Sequence, residues 1–265
     1  MFERILEDAS AFLLKNDQKP VGVGMALPGP YLINEDTSLF LTNQGWKSFT
    51  FTKKFESRLH LPVFVEQDSN VGAMGEWWFG NSEIGQGTKV FVSTGDGVGA
   101  GIVVDGKIQR GALGAAGEIG HMSINFEGPQ CQCGNKGCLE QYASATGIVN
   151  MAKENVPEGS YLADKKVTAK AVFDGAKEGD AYCMKVVEKF GRYLGVALSN
   201  VAHVVDPEAF VIGGGVSAAG QILLDVVEKY YNENSMFALK NKSFHLAELG
   251  NDAGIYGAVR MVLFK

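Results

Sequence analysis

Basic charge is in short supply. Twenty-four lysines and arginines stand against 30 aspartates and glutamates in 265 residues, a formal net charge of −6. That balance argues against a phosphate-backbone surface, so no nucleic acid is expected to bind through this chain. Long apolar runs are missing too, which excludes a spanning helix, and no secretory leader is expected from the opening residues. Cysteine is sparse at four residues. No disulfide framework is suggested, and a reducing, cytoplasmic setting is expected. Low-complexity segments and short repeats are absent as well.

What remains is an ordinary globular composition, 46% hydrophobic and 20% charged. The length favours two domains or two lobes over one. Glycine is the outlier at 34 residues, many clustered, which signals tight turns and places where backbone approaches a ligand. Three of the four cysteines, Cys131, Cys133 and Cys138, fall within eight residues, and His121 precedes them. One imidazole and three thiols form a soft-ligand cage suited to tetrahedral Zn²⁺, closed on all four sides and therefore structural. Glu118, three residues before His121, shares a face with it on any helical turn. Glu140 follows two residues after the last cysteine. Cys183 stands alone on an expected helix, where burial is its expected fate.

Apolar spacing predicts a helix over 2–14, with Phe2, Ile5, Leu6, Ala9 and Leu13 on one stripe. A buried strand over 21–27 stops at Pro28-Gly29-Pro30, and a polar loop carries Asn43. A helix over about 50–59, a strand over 62–68 ending on Glu66-Gln67-Asp68, and a helix over 70–79 come next. Strands at 90–94 and 98–104 flank Gly95-Asp96-Gly97, and Asp105-Gly106 closes a further hairpin. Helices are expected at about 139–153, from Thr168, at 181–203 and at 217–231. A strand at 210–212 runs into Gly213-Gly214-Gly215. A last strand over 244–249 and a last helix over 252–263 complete an α/β alternation in two halves.

These residues carry a family resemblance. Leu27-Pro-Gly-Pro30, Glu66-Gln-Asp-Ser-Asn70, Gly95–Gly101, Gly114-Ala-Ala-Gly-Glu-Ile-Gly-His121, the cysteine stretch through Glu140, Ile212-Gly-Gly-Gly-Val-Ser217 and Leu249-Gly-Asn-Asp-Ala-Gly254 resemble the ROK family of repressors, open reading frames and sugar kinases. The match runs from about residue 20 to 262, and Ala143–Ile148 looks like its glucokinase branch. The resemblance implies an actin-like ATPase (RNase H-like) fold of two lobes, the first one incomplete. The lobes are expected at 1–84 plus 252–265 and at 85–251. It implies an ATP:hexose phosphotransferase using Mg²⁺ and ATP, with a hexose or N-acetylhexosamine as substrate and a homodimeric assembly.

By that resemblance Asp68 is the general base, and Asn43, Glu118, His121 and Glu140 contact sugar hydroxyls. Read without it, Asp68 serves equally as a turn or helix-capping aspartate. The resemblance assigns Gly95, Gly97 and Gly99 to a phosphate loop, and Gly213, Gly214 and Gly215 to the adenosine side. A plain hairpin and a glycine-assisted helix entry explain the same glycines.

Three departures matter. Family kinases carry Asp-x-Gly-Gly-Thr, a first phosphate loop, on a strand before the first helix, and no such motif occurs in these 265 residues. The chain therefore reads as shortened, with strand 21–27 left as an edge prone to pair. Asp96 stands where active relatives carry Thr, and Gln67 where the pattern has Asn. The sugar and zinc positions are thus intact while the nucleotide positions are altered. A second expectation follows, a sugar-sensing domain of a transcriptional regulator of the N-acetylglucosamine- or xylose-repressor type. Trp77-Trp78-Phe79, Asp96 and Glu127–Cys131 resemble that branch.

Overall fold

The structure, a computed structural model, describes residues 2–15, 19–32, 37–38, 49–50, 52–80 and 87–264. Helix α1 (Phe2–Lys15) turns Leu6, Ala9 and Leu13 of the expected stripe inward, while Ile5, expected on the same stripe, is exposed. Strand β1 (Val23–Leu27) follows. The expected polar loop differs: it holds three two-residue strands, β2 (Tyr31–Leu32), β3 (Thr37–Ser38) and β4 (Phe49–Thr50), in one small antiparallel sheet. Two residues are too few to display an alternation, so pattern alone misses them. Asn43 lies outside the described residues.

Helix α2 (Thr52–Leu59), strand β5 (Val63–Gln67) and helix α3 (Asp68–Phe79) come next. β1 and β5 run parallel, from Val23 opposite Val63 to Leu27 opposite Gln67. Among the described residues, no strand pairs with the other edge of β1. Leu6, Phe55, Leu59, Val63 and Val65 form the core on one face of this pair. Asp68 is not the end of a strand, as the sequence suggested, but the first residue of α3.

The second sheet is larger and mixed. Strands β6 (Lys89–Thr94), β7 (Val98–Val104) and β8 (Lys107–Ile108) are antiparallel. Asp105 and Gly106 both take positive φ, 49° and 73°, as a two-residue hairpin of this hand requires. The helix expected over 139–153 is two helices, α4 (Glu140–Ala143) and α5 (Ala145–Lys153). Ser144 makes the break, extended at ψ 166° and capping α5 by accepting from the Gly147 amide. Then come α6 (Ala169–Lys177), capped by Thr168, and the long α7 (Ala181–Val205). Strand β9 (Ala209–Gly213) leads into a 3-10 turn over Gly215–Ala219, and only after Gly220 does α8 (Gln221–Asn234) start. The expected start of that helix at 217 was therefore early, because Gly220 sits at φ 77°. Strand β10 (Ser243–Leu246) and helix α9 (Ala253–Leu263) close the chain.

The sheet order is β10-β9-β6-β7-β8, with β9 parallel to both β6 and β10. Its core packs Phe190, Leu194 and Leu198 of α7 against Phe210 and Ile212 of β9 and Leu223 and Tyr231 of α8. Each of these side chains contributes about 1.5–3 kcal/mol by leaving water. Cys183, as expected, is fully buried here.

Helices α3 and α9 cross in direct backbone contact. A Cβ on Gly75 would strike the Ala253 carbonyl, and one on Gly257 the Val71 carbonyl. Glu76, buried, accepts from the Glu248 and Leu249 amides at 3.1 and 2.8 Å and ties α3 to the turn before α9. The element whose first residue is Asp68 is thus braced along its length.

Candidate active site

Asp68 opens α3, where the chain leaves β5, so its carboxyl stands at the carboxyl edge of the small sheet. Its Oδ1 accepts from the Ser69 amide at 2.7 Å. It is not the helix cap; that position is Gln67, whose side chain makes no capping bond. The Asp68 side chain is open to solvent but enclosed by the cleft walls, and this partial desolvation raises its carboxyl above the ordinary range. A carboxylate so placed is a better proton acceptor than a surface aspartate.

Glu118 and His121 arrive on one short turn. Residues Ile119–His121 form a 3-10 helix with Glu118 just before it, as the three-residue spacing predicted. Glu118 Oε2 lies 3.8 Å from His121 Nε2, and Glu118 Oε1 accepts from Gln67 Nε2 at 2.6 Å. Burial raises the Glu118 carboxyl; His121 and the Gln67 amide oppose that, while Asp68 and Glu140 add to it. Glu140, at the start of α4, accepts from the Val98 amide through Oε2 at 3.1 Å. These groups line one cleft of about 290 Å³, with Pro28, Gly29, Gln67, Ser69 and the Gly95–Gly99 segment. Four carboxylates face it, counting Asp96. Such a surface suits a polyhydroxylated ligand, whose O–H groups donate to carboxylates.

The cysteines fold into a knot beside this cleft. His121, Cys131, Cys133 and Cys138 present ligand atoms all within 4.8 Å of one another. Cys131 Sγ is 3.8 Å from His121 Nδ1, and Cys133 Sγ is 3.5 Å from Cys138 Sγ. The edge of a tetrahedron around zinc with thiolate and imidazole ligands is roughly 3.3–3.8 Å, so the four groups can hold such a metal ion. The turn is tightened by Cys131 N donating to Asn135 O and Gly134 N donating to Cys131 O. With Nδ1 turned to the thiols, Nε2 is left facing Glu118 and the cleft.

A second cavity, about 650 Å³, lies on the far side of the β6–β7 turn. Gly95 and Asp96 line both spaces. The turn is anchored from behind: Ala145 N donates to Gly95 O at 2.7 Å and Thr94 Oγ1 to Ala143 O at 2.9 Å. The glycines expected to bind phosphate do not act alike. Gly99 is in β7, with its Cα hydrogen side against Ser69, and Gly213 is in β9 against Phe91. Gly214, at φ 83°, lies against the Thr94 backbone. Of that trio only Gly215 lines the second cavity. Lys170, Asp174 and Lys177 on α6 line it as well, and sequence reasoning missed them. Their i, i+4, i+7 spacing after Thr168 was the available signal. Asp68, Glu118, His121 and Glu140 are brought together; Asn43 lies outside the described residues.

The ROK family model matches residues 1–265. A glucokinase from Halalkalibacterium halodurans is 41% identical over 254 residues, spanning 92% of this chain and 76% of that protein. A xylose repressor from Caldicellulosiruptor bescii is 32% identical over 251 residues, 92% of this chain but 62% of that protein, so the chain spans less than two thirds of the repressor. A solved ROK family glucokinase from Streptomyces griseus, in complex with glucose and AMPPNP, superposes with a TM-score of 0.84 at 32% identity, over 98% of this chain and 87% of that one. A ROK family transcriptional regulator, a homologue of the E. coli MLC protein, superposes with a TM-score of 0.88 at 27% identity, over 98% and 67%. The α/β architecture with its mixed five-stranded sheet is the actin-like ATPase fold of these neighbours. The chain belongs to the ROK family.

Proposed function

We propose that this chain is the hexose- and nucleotide-binding body of an ATP-dependent hexose kinase of glucokinase type. One observation carries the reading. Asp68, Glu118, His121 and Glu140, spread over 73 positions of sequence, line one cleft that shares its Gly95–Asp96 wall with the larger second cavity. A hexose in the first and a nucleotide in the second would meet at that wall. Asp68 takes the proton from the attacking sugar hydroxyl, and its raised affinity for protons suits it to that work. Glu118 and Glu140 accept sugar hydroxyls, and His121 offers its Nε2 to the same ligand. Gly95, Gly97 and Gly215 let backbone approach phosphate oxygens, while Gly99 and Gly213 support those turns from within the sheet and Gly214 from just past the end of β9.

Zn²⁺ is the proposed resident of the cysteine knot, where it supplies a structural cross-link and fixes the His121 tautomer. Mg²⁺ would supply charge neutralisation for ATP phosphates, and Asp96, in the wall that both cavities share, is a carboxylate that could hold it. We also propose the lobe division at 1–84 plus 252–265 and 85–251, on the cores beside β1–β5 and around α7 and α8; a third cluster, Ala73 of α3 against Phe91 and Val211, packs the two lobes together. A homodimer and a cytoplasmic location complete the reading. No described helix is long and apolar enough to cross a membrane.

A second reading, the sugar-sensing domain of a regulator, is favoured by the ROK regulator that superposes at a TM-score of 0.88. Asp96 favours it too, since a carboxylate facing phosphates without a metal between repels them. The separating experiment is ATP-dependent phosphorylation across hexoses and N-acetylhexosamines, with Asp68→Asn as control. Turnover that disappears in the control supports the kinase; hexose binding without turnover supports the sensor.

A further inference from the structure

Two residues that do not line the cleft join the elements that do. Glu66, 3% exposed, is the residue of β5 just before Gln67, and both its carboxylate oxygens are bonded. Oε1 accepts from the Gln67 amide at 2.9 Å and from Asn70 Nδ2 at 3.0 Å. Oε2 accepts from Arg110 Nε in a close ion pair. Glu66 thus holds both sides of the β5–α3 corner from which Asp68 projects.

Arg110 lies on the other side of the site. It starts the glycine-rich turn that ends at Gly117 and delivers Glu118, and its carbonyl accepts from the Ala116 amide at 3.1 Å. The far end of the same turn is fixed by Ala100 N donating to Gly117 O at 2.9 Å. Gln67 Nε2 then reaches Glu118 Oε1 at 2.6 Å. The turn is therefore fastened to the β5–α3 corner at two points, Arg110 to Glu66 and Glu118 to Gln67. Neither Glu66 nor Arg110 is among the residues lining the cleft.

We propose that Glu66 and Arg110 are positioning residues that set the placement of Glu118 relative to Asp68, and so the fit of a hydroxyl-bearing ligand between them. The ion pair has a reason to exist beyond holding the fold. It fastens the turn to the β5–α3 corner without using Glu118 itself, whose bond to Gln67 a ligand hydroxyl would compete for. Arg110 supplies the tether with a charge that Glu66, being buried, cannot lose without leaving its own carboxylate unpaired.

The inference rests on the hexose-binding reading, and the test keeps the two apart. Hexose dissociation constants by calorimetry, kcat and KM for the best hexose, and melting temperatures are measured for wild type, Arg110→Lys, Arg110→Met, Glu66→Gln and Glu66→Gln/Arg110→Met. Arg110→Met is expected to weaken hexose binding at least tenfold and lower kcat at least tenfold. Arg110→Lys should recover most of both, since it restores the charge. The double variant should bind no worse than Arg110→Met alone, and KM for ATP should stay within threefold throughout. If Arg110→Met does not fold, Glu66→Gln and Arg110→Lys carry the same comparison, with a clear loss of hexose affinity expected for the first and little for the second. Wild-type hexose affinity in folded Arg110→Met or Glu66→Gln overturns the inference, as do losses that simply follow melting temperature or strike ATP and hexose equally. Wild type that binds hexose without turnover ends the kinase reading but leaves the affinity comparison decisive. Wild type that binds no hexose overturns both.

Discussion

The two cavities share a wall and are built in opposite ways. The smaller is made of side chains: Asp68, Glu118, His121 and Glu140 converge from α3, a 3-10 turn and α4. The larger takes half its lining from glycine and alanine, Gly95, Ala145, Ala169, Gly215, Ala218 and Ala219, and adds Phe173 and the charged Lys170, Asp174 and Lys177 of α6. A site made of converging side chains is damaged by removing a functional group. One made of close backbone is damaged by adding a Cβ. The difference teaches what kind of change each cavity is sensitive to, and substitutions that cross the two modes test it.

The largest effect is expected at Asp68. Asp68→Asn should lower kcat by about 10²–10⁴-fold while hexose affinity changes little, because only proton transfer is lost. The same variant should melt higher than wild type at pH 8. The wild-type Asp68 carboxyl binds a proton more tightly in the folded state than in the unfolded chain, so its ionised form costs stability above the folded value. That cost disappears as pH falls through the raised value toward the ordinary one, and the difference in melting temperature should close over the same interval. Activity should fall along with it. A melting difference that is constant with pH would show that Asp68 is not desolvated.

Next in size is the cysteine knot. Cys138→Ser, or chelation, should lower melting temperature and weaken hexose binding by roughly tenfold or more, since His121 loses its anchor. ATP affinity measured separately should change less. Equal losses for the two ligands would mean the knot supports the whole lobe and not the cleft.

Gly97→Ala against Gly215→Ala is the sharpest comparison. A Cβ at Gly97 would lie 2.5 Å from Glu140 Oε2, while one at Gly215 meets nothing within 4 Å. The first should weaken hexose binding about tenfold, one hydrogen-bonded carboxylate being displaced. The second should leave hexose binding alone and raise KM for ATP a few-fold. Calorimetry with each ligand reads both. The smallest functional effect is expected at Glu76, which serves neither cavity. Glu76→Gln replaces one of two acceptors for backbone amides by a donor and should cost about 1–3 kcal/mol of stability with unchanged KM values.

Much of the cleft was legible because its signals are local. Cys131, Cys133 and Cys138 are close in sequence, so their meeting needs only tight turns. Glu118 and His121 are one 3-10 turn apart. The side proposed for the nucleotide was less legible because glycine has two uses that look identical in a string. Gly213 was grouped with Gly215, yet it faces Phe91 inside the sheet while Gly215 faces open space. The break at Ser144 was hidden because both neighbouring segments have helical spacing, and only the cap geometry divides them. β2, β3 and β4 were too short to show a period.

By itself the sequence determined the residue chemistry, the knot, the order of most elements and the family, since each depends on identity and near-neighbour spacing. The tertiary structure alone decided that Gln67 reaches Glu118, that Glu66 meets Arg110, and that Glu140 holds the turn between two cavities. Those pairs are separated by 51, 44 and 42 residues. No local rule brings such residues together; the packing of the β5–α3 corner against β7 and its turns does.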